Sequence, residues 1–197
     1  MPHSIERNLL RDRGGEIARS SGFIGRGIDI PDRDGNYVNS LGFERAEDLF
    51  EWLKNKIVLD LGAGKGNFAR DLENNHPDLN TKVISLEPLA ITHREGGKKD
   101  SIGGDWRLLP IGTASVDAIV SSCAFPLYED NEHLPIVLRE IYRVLKIEGE
   151  ARLGSDGGRV KIIKKILENE RQPGILDFDY NIFQDEGRGG YFWLKKK

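Results

Sequence analysis

The sequence predicts a doubly wound α/β domain on a mostly parallel sheet, and three observations carry that prediction. From Lys56 onward, short apolar runs alternate with helical stripes. The first run, Ile57-Val58-Leu59-Asp60-Leu61, is almost continuously apolar, as a strand covered by helices on both faces must be. A glycine cluster at 62, 64 and 66 follows directly and opens the next helix. Strand, helix and strand in succession make βαβ units joined by right-handed crossovers.

The elements follow in order. Residues 1–42 read as an N-terminal extension, with a short polar helix near 4–20 and a glycine- and aspartate-rich loop over 22–42. Ala46, Leu49, Phe50 and Leu53 recur at helical spacing within Glu44–Asn55. Asn67–Asn75 can bury Phe68, Ala69 and Leu72 from one face, and Lys82–Leu86 is a strand ending at Glu87. Asp117–Ser121 is another strand. Leu134–Leu145 is the clearest helix, with Leu134, Val137, Leu138, Ile141 and Leu145 on one stripe. A strand at Glu150–Leu153 and a helix at Arg159–Glu170 follow. Ile175–Gln184 and Gly190–Lys195 then form two last strands around the turn Asp185–Gly189.

Composition narrows the class. A chain of 197 residues, 38% hydrophobic and 31% charged, suits one globular domain with a core that needs no covalent staples. One cysteine, Cys123, excludes an internal disulfide framework and a thiolate zinc site, so no metal is expected. The net charge of −3 gives no general attraction to nucleic acid or anionic membrane, and Lys195-Lys196-Lys197 reads as a solvated tail. No apolar run of about 18 residues occurs. The first fifty residues carry arginine without lysine but are rich in acids, which disfavours a transit peptide; the expectation is a cytoplasmic protein.

The glycine cluster is where ligand chemistry begins. Glycine permits positive φ and close backbone approach, and this turn falls at a helix N-terminus outside a parallel strand. A turn that merely reverses the chain would look the same, so spacing has to discriminate. A dinucleotide fingerprint needs G-x-G-x-x-G, yet Asn67 holds the third glycine's place. No Gly-Lys-Ser/Thr follows, which excludes a phosphate-binding P-loop. Glu87 supplies a second anchor: an acid about 20 residues beyond the loop, at a strand end, can accept from both hydroxyls of a ribose.

With these residues in view, the chain resembles the class I S-adenosylmethionine (SAM)-dependent methyltransferases, of the type 11 kind. Val58 to Gly66 is similar to that family's first motif, and Glu87 to its ribose-binding acid. Gly104-Asp105-Trp106-Arg107-Leu108-Leu109-Pro110-Ile111 resembles its third segment, and Ser115 to Ala124 its fourth strand. Leu138 to Lys146 resembles the helix before the fifth strand. The likeness spans roughly residues 45–155, in order.

The resemblance implies a Rossmann-like, seven-stranded sheet with an antiparallel last strand, forming a single domain over 1–197 (extension 1–42, core 43–197). It implies SAM as cofactor and S-adenosylhomocysteine (SAH) as product. Asp60 would attract the methionine amino group, and Gly62 and Gly64 would admit the ligand to the backbone. Glu87 would hold the ribose, Asp105 the adenine amino group, and the Trp106 N–H the adenine ring. Pro88 and Leu89 would wall the adenine, with Ala63 and Ser121 also lining the ligand. The acceptor is left as a small molecule or a protein side chain.

The chain also departs from the pattern. Lys146 is followed by Ile147-Glu148-Gly149 where the family often has proline, so a softer helix end is expected. The family's common His-His after the fourth strand is Pro126-Leu127 here, and Phe125-Pro126-Leu127-Tyr128 only loosely matches the motif of amino-methylating enzymes. No catalytic residue stands out. His93 and His133 read as surface residues and Cys123 as core. Methyl transfer gains mostly from alignment, so a missing base does not argue against it. Two other classes stay open: a SAM-binding partner module without catalysis, and a nicotinamide oxidoreductase, which the glycine spacing disfavours. Little chain remains after the fifth strand to cover an acceptor, so residues 1–42 are expected to serve as a lid.

Overall fold

The computed structural model describes residues 37–64, 66–87, 101–122, 124–125, 129–155, 157–169, 176–185 and 189–197. Seven strands form one sheet: β1 (Ile57–Leu61), β2 (Lys82–Glu87), β3 (Ser101–Gly103), β4 (Val116–Ser121), β5 (Leu145–Ser155), β6 (Phe178–Asp185) and β7 (Gly189–Lys196). Their spatial order is β3-β2-β1-β4-β5-β7-β6. β1 pairs in parallel with β2 on one side and β4 on the other, with Asp60 opposite Ser85 and Val120. β7 runs antiparallel to both β5 and β6, so the sheet is mostly parallel with an antiparallel last strand, as expected.

Alternation along the central strands creates two cores. Leu59, Leu61 and Ile119 point into one, closed by α4 (Leu134–Val144) and α5 (Gly157–Asn169) through Leu134, Val137, Leu138, Ile141, Val160, Ile163 and Leu167. Val58, Ala118 and Val120 point into the other, closed by α1 (Tyr37–Ser40), α2 (Ala46–Leu53) and α3 (Asn67–Asn75) through Tyr37, Leu49, Leu53, Phe68 and Leu72. Each such aliphatic side chain contributes about 1.5–3 kcal/mol relative to solvent exposure. The winding changes direction between β1 and β4, which places a crevice outside their carboxyl ends.

Polar clamps fix the N-terminal helices to the far half of the sheet. The indole N–H groups of Trp52 (2.7 Å) and Trp193 (3.0 Å) both donate to Glu150 Oε2, joining α2 to β5 and β7. Arg152 lies over the rings of Phe43 and Trp52 and donates from Nη1 to the Leu41 carbonyl at 3.1 Å.

Several boundaries differ from expectation. Residues 37–40 were expected as loop but form one helical turn, because Tyr37, Val38 and Leu41 are buried against the sheet. The helix before β5 stops sharply at Val144 without proline: Leu145 turns extended and pairs with Val116, and the Lys146 ammonium meets Asp117 Oδ1 at 2.7 Å. β5 therefore starts five residues before Glu150, carrying a register shift and a left-handed Glu148 (φ 63°). β3 had not been placed by periodicity at all. The expected helix near 4–20 and most of the expected lid lie outside the described residues. Among the described residues, no helix is long and apolar enough to cross a membrane.

Gly42 tests this packing. Its φ is +76°, and a Cβ there would fall 2.0 Å from the Tyr191 ring. Gly42→Ala is expected to destabilise the fold by about 2–4 kcal/mol in urea unfolding, from left-handed strain plus overpacking. Gly103→Ala, with nothing within 4 Å, should stay within about 0.5 kcal/mol of the parent.

Candidate functional site

The glycine turn is tied down by its own amides. The N–H groups of Gly62 (2.8 Å) and Ala63 (3.2 Å) donate to the Leu86 carbonyl, and that of Gly66 to the Ala63 carbonyl at 2.9 Å. The Gly64 N–H donates to Glu87 Oε2 at 3.0 Å, bringing turn and acid together as the spacing suggested. Gly62, Gly64 and Gly66 all have positive φ. At Gly62 a second constraint applies: a Cβ would sit 2.2 Å from the Ala124 methyl, so glycine there admits the segment after β4.

Asp60 lies beneath this turn with 0% exposure. The Tyr37 hydroxyl is shared between its Oδ1 (2.9 Å) and Oδ2 (3.0 Å). Tyr37 is itself only 4% exposed and stacks on Phe68 with centroids 4.1 Å apart. Burial pushes the Asp60 carboxyl up to about 7; the Tyr37 hydrogen bond pulls it down, and the Glu87 charge adds to the rise.

The other expected residues divide by environment. Asp105 has a half-exposed side chain and is gripped by Arg107, whose backbone N–H (2.8 Å), Nε (3.0 Å) and Nη2 (2.6 Å) all donate to it. Partial burial works to raise its pKa, but the Arg107 hydrogen bonds hold it below the ordinary value. Trp106 is buried at 5% exposure, edge-on to Phe125 and beside Gly62. Its indole Nε1 has no hydrogen-bond partner. Ser121 is fully buried; its hydroxyl donates to the Leu61 carbonyl and accepts from the Phe125 N–H, both at 2.9 Å. Pro88, Leu89, His93, Cys123 and Pro126–Tyr128 lie outside the described residues.

Sequence reading missed the residues that reach this site from α1. Tyr37 falls in the stretch expected as loop, and nothing in the neighbouring sequence signals where its hydroxyl goes. Ser40 Oγ and Ser122 Oγ lie 2.7 Å apart, and the Ser40 carbonyl packs against Gly154 of β5. The chain segment α1 thus crosses the carboxyl ends of β1, β4 and β5. His133, expected at the surface, precedes α4 with Nδ1 3.1 Å from Glu129 Oε1. With Asp130 and Glu132 it forms a largely exposed group of ligand-type atoms.

Known proteins share this fold. Residues 59–153 match the family described as methyltransferase domain. An uncharacterized methyltransferase-like protein of Schizosaccharomyces pombe is 30% identical over 98 residues, covering 49% of this chain and 37% of the relative. The cephaeline 6'-O-methyltransferase of Carapichea ipecacuanha is 29% identical over 128 residues, covering 64% of this chain and 33% of the relative. The chain spans about a third of the length of these curated relatives. Among solved structures, a TehB-like SAM-dependent methyltransferase from Corynebacterium glutamicum superposes with TM-score 0.60 at 17% identity, covering 100% of both chains. Over residues 59–153 the chain is thus similar to methyltransferase domains, and its fold is that of solved SAM-dependent methyltransferases.

Ser121 offers a direct check on the frame of the site. Ser121→Ala should lower stability by about 1–3 kcal/mol in denaturant titrations without any ligand, since it strands the buried Phe125 N–H. A serine whose only role were to touch ligand would leave the unliganded protein unchanged.

Proposed function

We propose that this protein is a SAM-dependent methyltransferase acting on a small molecule or a protein side chain, with the whole chain forming one cofactor-binding domain. The observation that carries this reading is the glycine turn bound to Glu87 directly above the buried carboxylate of Asp60. Together they present two acids and no unspent turn amide among Gly62, Ala63, Gly64 and Gly66. Such a turn suits a ligand with an ammonium and ribose hydroxyls, and suits a diphosphate poorly, since diphosphates are held by free N–H groups.

The residues fit the cofactor in further respects. Asp60 has one hydroxyl donor shared over two oxygens, which leaves capacity to accept from an amino group. Glu87, held at the turn by the Gly64 N–H, brings to the site a carboxylate, a group able to accept from ribose hydroxyls. The unsatisfied Trp106 indole N–H is a buried donor that a bound ligand would complete. In this reading Asp105 and the Trp106 backbone face the adenine, Pro88 adds a wall, and Ser121 holds the end of β4 against the turn.

When bound, SAM supplies a methyl group on a sulfonium, with a neutral thioether as leaving group. What the chain contributes is alignment. Asp60 and Glu87 fix the ligand's two ends, and the segment after β4 (Ala124, Phe125) borders the side on which an acceptor approaches. Holding the two partners in line can lower the barrier by about 7–11 kcal/mol, so the reaction does not require a strong base here.

Calorimetric titration tests the assignment. SAH should bind at one site while NAD gives no heat. Glu87→Gln should weaken SAH by about tenfold or more, through loss of charged acceptance from ribose hydroxyls. Asp105→Asn should have a smaller effect, because that carboxylate is half exposed and already engaged by Arg107. No SAH binding, or equal affinity in both variants and parent, would contradict the placement.

A further inference from the structure

We propose that Tyr37 is a positioning residue for the cofactor's amino-acid end: its hydroxyl holds the Asp60 carboxylate in the orientation that receives the ligand ammonium. The proposal rests on the reading of Asp60 given above and adds to it a residue from the N-terminal segment.

The geometry is specific. The hydroxyl bisects the carboxylate, 2.9 Å and 3.0 Å from its two oxygens, and both groups are withdrawn from water. A carboxylate rotates freely about its terminal bond unless it is held, since such torsions have broad, shallow preferences. Tyr37 cannot follow such a rotation. Its ring is pinned by the stack on Phe68, and α1 is anchored by the Ser40–Ser122 contact and by the Ser40 carbonyl against Gly154. The neighbouring strand has its own orphan: Ser85, which pairs with Asp60 across β1 and β2, is fully buried with its hydroxyl unpartnered. Tyr37 is therefore the one described side chain that donates to Asp60.

The consequence is a linkage between pH and binding. The groups acting on Asp60 are Tyr37 from α1 and Glu87 from β2, with burial the largest influence, and together they bring its pKa to about 7. An ammonium binds the ionised form, so affinity should rise as pH passes upward through 7. The Tyr37 hydroxyl favours ionisation, so removing it should move that rise to higher pH.

Tyr37→Phe keeps the ring and its stack while deleting the donor. SAH affinity of the full chain would be measured by calorimetry from pH 6 to pH 9 for the parent and for this variant. We expect the inflection to rise by about one pH unit, giving more than about tenfold weaker binding at pH 6 and a smaller weakening that persists at pH 9, where Asp60 is ionised in both proteins and only the orienting contact is lost. A merely structural role would lower the melting temperature without moving the inflection. Asp60→Asn should bind weakly with no inflection near 7. Fluorotyrosine placed at 37, a stronger donor, should move the inflection downward, and this arm stands even if Tyr37→Phe does not fold. The proposal is overturned by an inflection that is the same in all tyrosine forms, by an inflection that survives Asp60→Asn, or by tighter binding in Tyr37→Phe, which would make the hydroxyl a competitor of the ligand. Absence of any SAH binding by the parent would instead reject the cofactor reading itself.

Discussion

A carboxylate shut away from water at the carboxyl end of the central strand is the constraint around which this domain is arranged. An ionised group in such a place is expensive unless it is paired, and Asp60 finds its partner 23 residues earlier in the chain. That contact joins three parts of the molecule. The Tyr37 ring stacks on Phe68, the second residue of α3, and α3 begins where the glycine turn ends. The helical turn carrying Tyr37 then touches β4 through Ser40 and Ser122 and β5 through Gly154. Asp60 would otherwise settle its electrostatics by keeping its proton, and its pKa near 7 records how nearly balanced the two states are.

The turn above Asp60 follows from the same economy of hydrogen bonds. In a phosphate-binding loop the backbone amides are left open for the ligand. Here Gly62 and Ala63 give theirs to the end of β2, and Gly64 gives its own to Glu87. The site is consequently acidic rather than amide-lined, with Asp60 and Glu87 at its two ends. A ligand bearing an ammonium at one end and hydroxyls at the other matches that polarity. The glycines serve packing as much as access: without a side chain at 62, the Ala124 methyl and the Trp106 ring close over the turn.

What could be read from the sequence was whatever depends on local pattern. β1 and α3 fall where the apolar run and the helical stripe put them, because both faces of β1 and one face of α3 are buried by neighbours of ordinary kind. The join between α4 and β5 was misplaced because the chain passes from helix to strand at Leu145 with no punctuating residue; the stop comes from pairing with Val116. β3 escaped notice because Ser101-Ile102-Gly103 is an edge strand of three residues, too short to show a period. In the site, the juxtaposition of Gly64 and Glu87 was legible, since a strand–turn–helix–strand unit brings those positions together. The Tyr37 contact was not. It is a single long-range hydrogen bond from a segment rich in glycine and aspartate, and no periodicity marks its direction. The Arg107 grip on Asp105 depends likewise on a side-chain rotamer rather than on spacing.

The most direct test of the account is a crystal structure of the full chain with SAH. The account predicts the amino group of the ligand on Asp60, directly or through one water, with the Tyr37 hydroxyl still on the same carboxylate. It also predicts the ribose hydroxyls on Glu87 and the adenine beside Trp106. A ligand seated away from the Gly62–Gly66 turn, or one whose amino group finds its partner elsewhere while Asp60 stays capped and untouched, would contradict it.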